Sequence, residues 1–226
     1  MDKQIKQRAK DIVQSDLPTM LIATSIFTLV SYGASCITGN IVASIVSAFI
    51  TAVVTACSAC FYFRAYNRGH GDVKDIYRIL TDKDNIAKIA SIMLTMWIIH
   101  TLLGVAALFA AVIPLVGLIV ILVATVMVFY LLRMVWFLFI ANPQYSVDYY
   151  FKGSCTYMGH VIISFFVFTV SVSIVPAIIE LLITTLAGAT IANLVCIPLN
   201  AYVDLALAGY LSSIIPNEWF DGTARV

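Results

Sequence analysis

Six long apolar runs alternate with short turns and longer polar connections along the chain, covering residues 17–39, 41–66, 86–112, 115–141, 160–186 and 189–215. Each exceeds the roughly 20 residues that an α-helix, rising ~1.5 Å per residue, needs to cross a ~30 Å hydrocarbon core. The pattern predicts an all-α, polytopic six-helix transmembrane bundle. Its runs pair into three helical hairpins closed by the turns at Thr38-Gly39-Asn40, Pro114 and Ala187-Gly188. Asn142-Pro143 is expected to stop the fourth span, because proline disfavours helical backbone in the residue before it.

The polar segments carry a second pattern. In residues 1–16, Ile5, Ala9, Ile12 and Val13 recur at helical spacing among Lys3, Lys6, Arg8 and Lys10, which predicts a cytoplasmic amphipathic helix at the membrane surface. In the connection 67–85, after a break bounded by Gly69 and Gly71, Val73, Ile76, Tyr77, Ile79 and Leu80 fall on one face, with Asp72, Lys74, Asp75 and Arg78 on the other. A second short amphipathic helix is expected there, lying on the membrane or against the bundle. The connection 142–159 has a similar division, with Val147, Tyr150 and Phe151 opposed to Asp148 and Lys152, and residues 216–226 form a polar tail. Within the second span, Ala43, Ser44, Ser47, Ala48, Thr51, Ala52, Thr55, Ala56, Ser58 and Ala59 read as small packing residues, which places that helix at the bundle centre. Arg64, at its end, is expected to snorkel to the interface.

Composition supports the membrane reading. The 226 residues are 62% hydrophobic and 11% charged, against roughly 45–50% and about 25% in soluble domains. The net charge of +1 implies neither nucleic acid nor an acidic substrate as partner, but its distribution is informative. All thirteen lysines and arginines lie in the polar segments or toward the helix ends that adjoin them, and the three short turns have none. Positive charge marks the cytoplasmic side, so both termini are expected inside, consistent with an even number of spans. The first run is too long for a signal-peptide core and is expected to be a retained span. The five cysteines follow no disulfide or metal spacing, and Cys57-Ser-Ala-Cys60, inside an apolar helix, reads as packing residues and not as a redox motif.

Several segments resemble the bacterial integral-membrane family known as domain of unknown function 975. They are Arg8-Ala9-Lys10, Arg68-Gly69-His70-Gly71-Asp72-Val73 leading into Ile76-Tyr77, Ala141-Asn142-Pro143 with Gly159-His160, and Leu199-Asn200-Ala201-Tyr202 with Asp204. The resemblance covers most of the chain in order. It implies a six-helix protein of the bacterial cytoplasmic membrane with no established reaction. Tyr149-Tyr150-Phe151 departs from the alanine- and serine-containing segment of that pattern.

Ionisable groups inside the spans are the candidates for function, because intramembrane charge is costly. They are His100, Arg133, Glu180 and Asp204. Counted from the inner ends of their spans, Arg133 lies roughly 12 Å deep and Asp204 roughly 16 Å, close enough in depth to pair. Such a pair either fixes helix register or makes Asp204 a proton-accepting or substrate-binding group in a hydrated cavity. Glu180, roughly 10 Å from the outer end and four residues after Pro176, either faces an outward cavity or reaches interfacial water by itself. His100 is expected to hydrogen-bond a neighbouring helix, and Asn193 and Asn200 to join helices. His70 and His160 lack ligand partners at metal spacing, and no hydrolytic, phosphate-loop or cofactor motif is present. The expectation is therefore a non-enzymatic membrane protein without cofactor. It acts as a scaffold or accessory subunit whose cytoplasmic amphipathic helices meet the lipid bilayer or a protein partner, or alternatively as a small secondary transporter or channel using Arg133, Asp204, Glu180, His100 and Asn200.

Overall fold

In the computed structural model, which describes residues 2–110, 114–216 and 219, the chain forms eight α-helices and two 3-10 turns, with no strand among the described residues. The helices are α1 (Asp2–Ser15), α2 (Leu17–Ser35), α3 (Ile41–Arg68), α4 (Lys83–Ala110), α5 (Pro114–Ala141), α6 (Val147–Ala187), α7 (Ala189–Val195) and α8 (Ile197–Ile214). The 3-10 turns, Val73–Ile76 and Arg78–Leu80, occupy the connection between α3 and α4. Five helices, α2 through α6, are long and apolar enough to cross a membrane. Large apolar side chains such as Leu29, Ile41, Leu108, Ile163 and Leu186 point outward, as expected where the solvent is lipid and not water. These features are those of a multi-pass membrane protein.

Sequence neighbours pack as hairpins: α2 on α3, α4 on α5, and α6 on both α7 and α8. Helix α3 sits centrally, touching α1, α2, α4, α5, α8 and both 3-10 turns. Its contact with α8 is close because Gly209 has no side chain. A Cβ there would lie 2.3 Å from the Tyr66 ring, and so α8 can approach α3 only with glycine at this point.

Three expected elements take a different form. The run expected as a sixth span, 189–215, breaks at Cys196 into α7 and α8, with Pro198 in the first turn of α8. Proline has no N–H to donate four residues back, so the ladder is interrupted there. The expected connection 142–159 shrinks to the few residues before Val147, and α6 then runs unbroken for 41 residues to Ala187. At ~1.5 Å per residue that is about twice the hydrocarbon thickness, so much of its first third projects beyond a bilayer core. No residue between Val147 and Gly159 obliges the helix to stop; Gly153 is buried where a Cβ would strike Trp219. The connection 67–85 folds as 3-10 turns and not as a regular amphipathic helix. Pro114, expected as a turn, begins α5, while residues 111–113 before it and most of the tail, 217, 218 and 220–226, lie outside the described residues.

Helix α1 also departs from expectation. Its apolar face of Ile5, Ala9, Ile12 and Val13 is buried within the bundle, mainly against α8, and not laid on a bilayer. Arg8 fixes it in place: Nη2 donates to the Asn67 carbonyl at 3.1 Å, and the guanidinium lies 4.9 Å from the Tyr66 ring centroid.

Candidate functional site

The stripe of small residues on α3 forms the wall of two clefts. Thr51, Thr55, Ser58 and Tyr62 follow one another by four, three and four residues, which puts them on one face of the helix. On α2 the spacing repeats at Thr24, Thr28, Ser31 and Ser35. The first cleft, about 530 Å³, runs between these two stripes and the start of α8, with Asn193, Asn200 and Asp204 on its far side. The second, about 460 Å³, lies between α3, α4 and α5 and is lined by His100, Arg133, Trp136 and, again, Asp204. Thr55, Ser58, Tyr62 and Asp204 border both.

Asp204 therefore stands where the clefts meet. Its Oδ1 lies 3.5 Å from Arg133 Nη2 on α5, and the two side chains keep 41% and 29% of their exposure, respectively. This is an ion pair reached by both cavities and not one sealed in a core. Partial exposure matters for the chemistry. A dry pair is held by strong attraction in a low dielectric and releases neither partner, whereas a pair bordering a cavity can exchange its contact for water or solute.

The hydrogen bonds of the walls set the polarity of the first cleft. Thr24 Oγ1 donates to the Met20 carbonyl at 2.7 Å, so the 2.7 Å contact between Thr24 and Tyr62 has the Tyr62 hydroxyl as donor. Ser35, Thr55 and Ser58 each donate to a carbonyl of their own helix. Back-bonding of this kind consumes the hydroxyl proton and leaves oxygen lone pairs outward. With the Asp204 carboxylate these oxygens supply acceptors, beside the hydroxyls of Thr28, Ser31 and Tyr32 and the amides of Asn193 and Asn200, which can donate as well as accept.

The other predicted residues divide. Asn200 lines the first cleft and His100 the second, where His100 Nδ1 donates to the Met96 carbonyl at 2.7 Å, within its own helix and not across to a neighbour. Glu180 is half-buried on α6 and lines neither cleft. His70 and His160 are exposed, and among the described residues no group of three His, Cys, Asp or Glu side chains is placed to hold a metal ion. The hydroxyl stripes were the residues that sequence reasoning missed. Their 4-3-4 spacing on both α2 and α3 was a signal available beforehand, but it is equally the spacing of small residues that merely pack.

A second charged centre lies under the connection between α3 and α4. Asp75, expected on a polar outer face, is 2% exposed. Its Oδ2 accepts from Arg68 Nη1 at 2.7 Å, while Arg64 Nη1 and Arg78 Nη1 stand 3.8 and 3.9 Å from Oδ1. Arg64 does not snorkel; it is 7% exposed. The Arg68-Gly69-His70-Gly71-Asp72-Val73 segment builds this centre. Gly69, at φ +86°, ends α3 in the left-handed region, and Asp72 Oδ1 accepts from the Lys74 amide to start the first 3-10 turn. Between them the Gly71 amide donates to Asp16 Oδ2 at 2.8 Å, in a space where a Cβ would sit 3.0 Å from the Phe61 ring.

Fold and site together define a multi-pass helical membrane protein with a charged pair at the junction of two clefts. No protein-family model, curated protein or solved structure matches the chain.

Proposed function

We propose that the protein is a small, non-enzymatic transporter or channel of a bacterial cytoplasmic membrane, in which Asp204 binds a proton or a small cationic solute. The observation that carries the reading is the exposure of Asp204 where two clefts meet, against a single countercharge, Arg133. The Asp204 carboxylate and the back-bonded hydroxyl oxygens of Thr55 and Ser58 beside it suit a cation or a hydrogen-bond donor. The break between α7 and α8 supports the same reading, since interrupted helices beside a polar site recur in transporters. In this proposal α7 and α8 together make the sixth span, and both termini are cytoplasmic, in keeping with the lysine and arginine distribution. The resemblance to domain of unknown function 975 supports the bacterial membrane setting.

A scaffold presenting free amphipathic helices is less well supported, because the apolar face of α1 is already used against α8. Proteoliposomes with an entrapped pH-sensitive dye and an imposed potassium diffusion potential test the choice. Wild-type protein is expected to pass protons, and Asp204→Asn to fall to the rate of empty vesicles. Arg133→Met, which removes the countercharge of a partly exposed carboxylate, is expected to cost about 1 kcal/mol of stability. The double variant Arg133→Met/Asp204→Asn is expected to regain folding without flux. Flux at the wild-type rate in the folded double variant would reduce the pair to a register device.

A further inference from the structure

Positive charge gathers around Asp75, and a cavity opens beside it. Three guanidinium groups, from Arg64, Arg68 and Arg78, converge on the carboxylate of Asp75. Arg68 takes the short contact to Oδ2. Arg64 is then held 3.8 Å from Oδ1, beyond hydrogen-bond reach, and its Nε and Nη1 are enclosed without any hydrogen-bond partner among the described residues. A buried guanidinium with idle donors is costly unless something else accepts from it.

Arg64 lines a cavity of about 220 Å³ between α3, α4, α5 and the second 3-10 turn. Arg78, Thr81 and Asn85 line the same space, over an apolar floor that includes Ile140. Asn85 is buried, and its amide makes no side-chain hydrogen bond among the described residues, so it offers a further donor. The nearby Asp82 and Asp84 are exposed and do not line the cavity. At about 30 Å³ per liquid water, the volume takes a tetrahedral oxyanion together with several waters.

We propose that this cavity is an oxyanion site, in which Arg64, Arg78 and Asn85 hold a phosphate group. Planar guanidinium forks match phosphate oxygens in pairs. The group is carried either by a soluble phosphate compound or by the headgroup of an anionic phospholipid at the membrane surface. The site is separate from the Asp204 clefts and stands whether or not the protein transports protons.

The test uses the full chain in neutral detergent and in nanodiscs. Thermal unfolding is followed with inorganic phosphate against chloride at equal ionic strength. Native mass spectrometry counts the lipids retained from nanodiscs of phosphatidylcholine with and without phosphatidylglycerol. A soluble source predicts that phosphate raises the unfolding temperature. A lipid source predicts no effect of phosphate but selective retention of phosphatidylglycerol. In either case Arg78→Met and Asn85→Ala, tested singly, are expected to weaken binding by about tenfold, the loss of one charge-assisted or buried hydrogen bond. Arg78 is half exposed, so its variant keeps the fold even where a change at Arg64 does not. The proposal is overturned if wild-type protein distinguishes neither phosphate from chloride nor phosphatidylglycerol from phosphatidylcholine, or if both variants bind as wild type does.

Discussion

Two acidic residues carry most of the chemistry, and they differ in how visible they were beforehand. Asp204 stood out because a carboxylate within an apolar run demands an explanation. Counting depth along each helix brought it level with Arg133, and the structure has the two 3.5 Å apart. Asp75 gave no such sign, since an acid in a polar connection is ordinarily solvated. What buries it is the return of that connection over the end of α3, where Arg64 and Arg68, four residues apart, face the same way. Chain reversal brings those partners together, and no local periodicity encodes it. Asp75→Asn would remove the carboxylate on which the three arginines converge, and Arg64 is buried. A loss of about 3 kcal/mol is expected, read as a lowered unfolding temperature in detergent, with a milder effect for Arg78→Gln on the exposed side.

At the level of elements, the apolar runs identified where helices form, while their ends and continuity followed other rules. Helix α6 absorbed most of an expected connection because nothing between Val147 and Gly159 breaks it, whereas Pro198 split a run that hydropathy alone treats as continuous. The difference is physical: a proline removes a specific hydrogen bond, while an exposed polar residue only changes what surrounds the helix. Pro176 does not end α6, so a proline's effect depends on what packs around it, and that was not legible in the chain. Pro198→Ala restores the missing N–H. Hydrogen exchange is expected to slow by about tenfold or more at the amides of residues 197 and 199, as α7 and α8 join; unchanged exchange would locate the cause of the break elsewhere. Amphipathicity had the opposite ambiguity. The periodic face of α1 was correctly seen as apolar, but a bilayer and a neighbouring helix are equivalent partners for such a face, and the chain chose α8.

Across the whole molecule, packing is uneven. Buried residues gather at the end that carries the N-terminus, the 67–82 connection and the close of α8, including Phe61, Phe63, Met134, Leu138, Tyr150 and Leu211. At the opposite end, with the turn between α2 and α3 and the glycine after α6, large apolar side chains such as Ile41, Val42 and Leu186 are exposed. The first cleft extends from Asp204 and Tyr62 toward that looser end, past Ser31, Tyr32 and Ser35. Under the proposed transport function, a bundle tight at one end and parted at the other gives the ion pair access from a single side. Ser58, half-buried on the wall common to both clefts, reports on this access. With Cys36, Cys57, Cys60, Cys155 and Cys196 replaced by alanine, Ser58→Cys in sealed proteoliposomes is treated with a charged, membrane-impermeant methanethiosulfonate. Rapid modification from one face of the membrane alone is the expected result, whereas no modification from either face of the folded protein would mean a dry interior and contradict a hydrated cleft at Asp204.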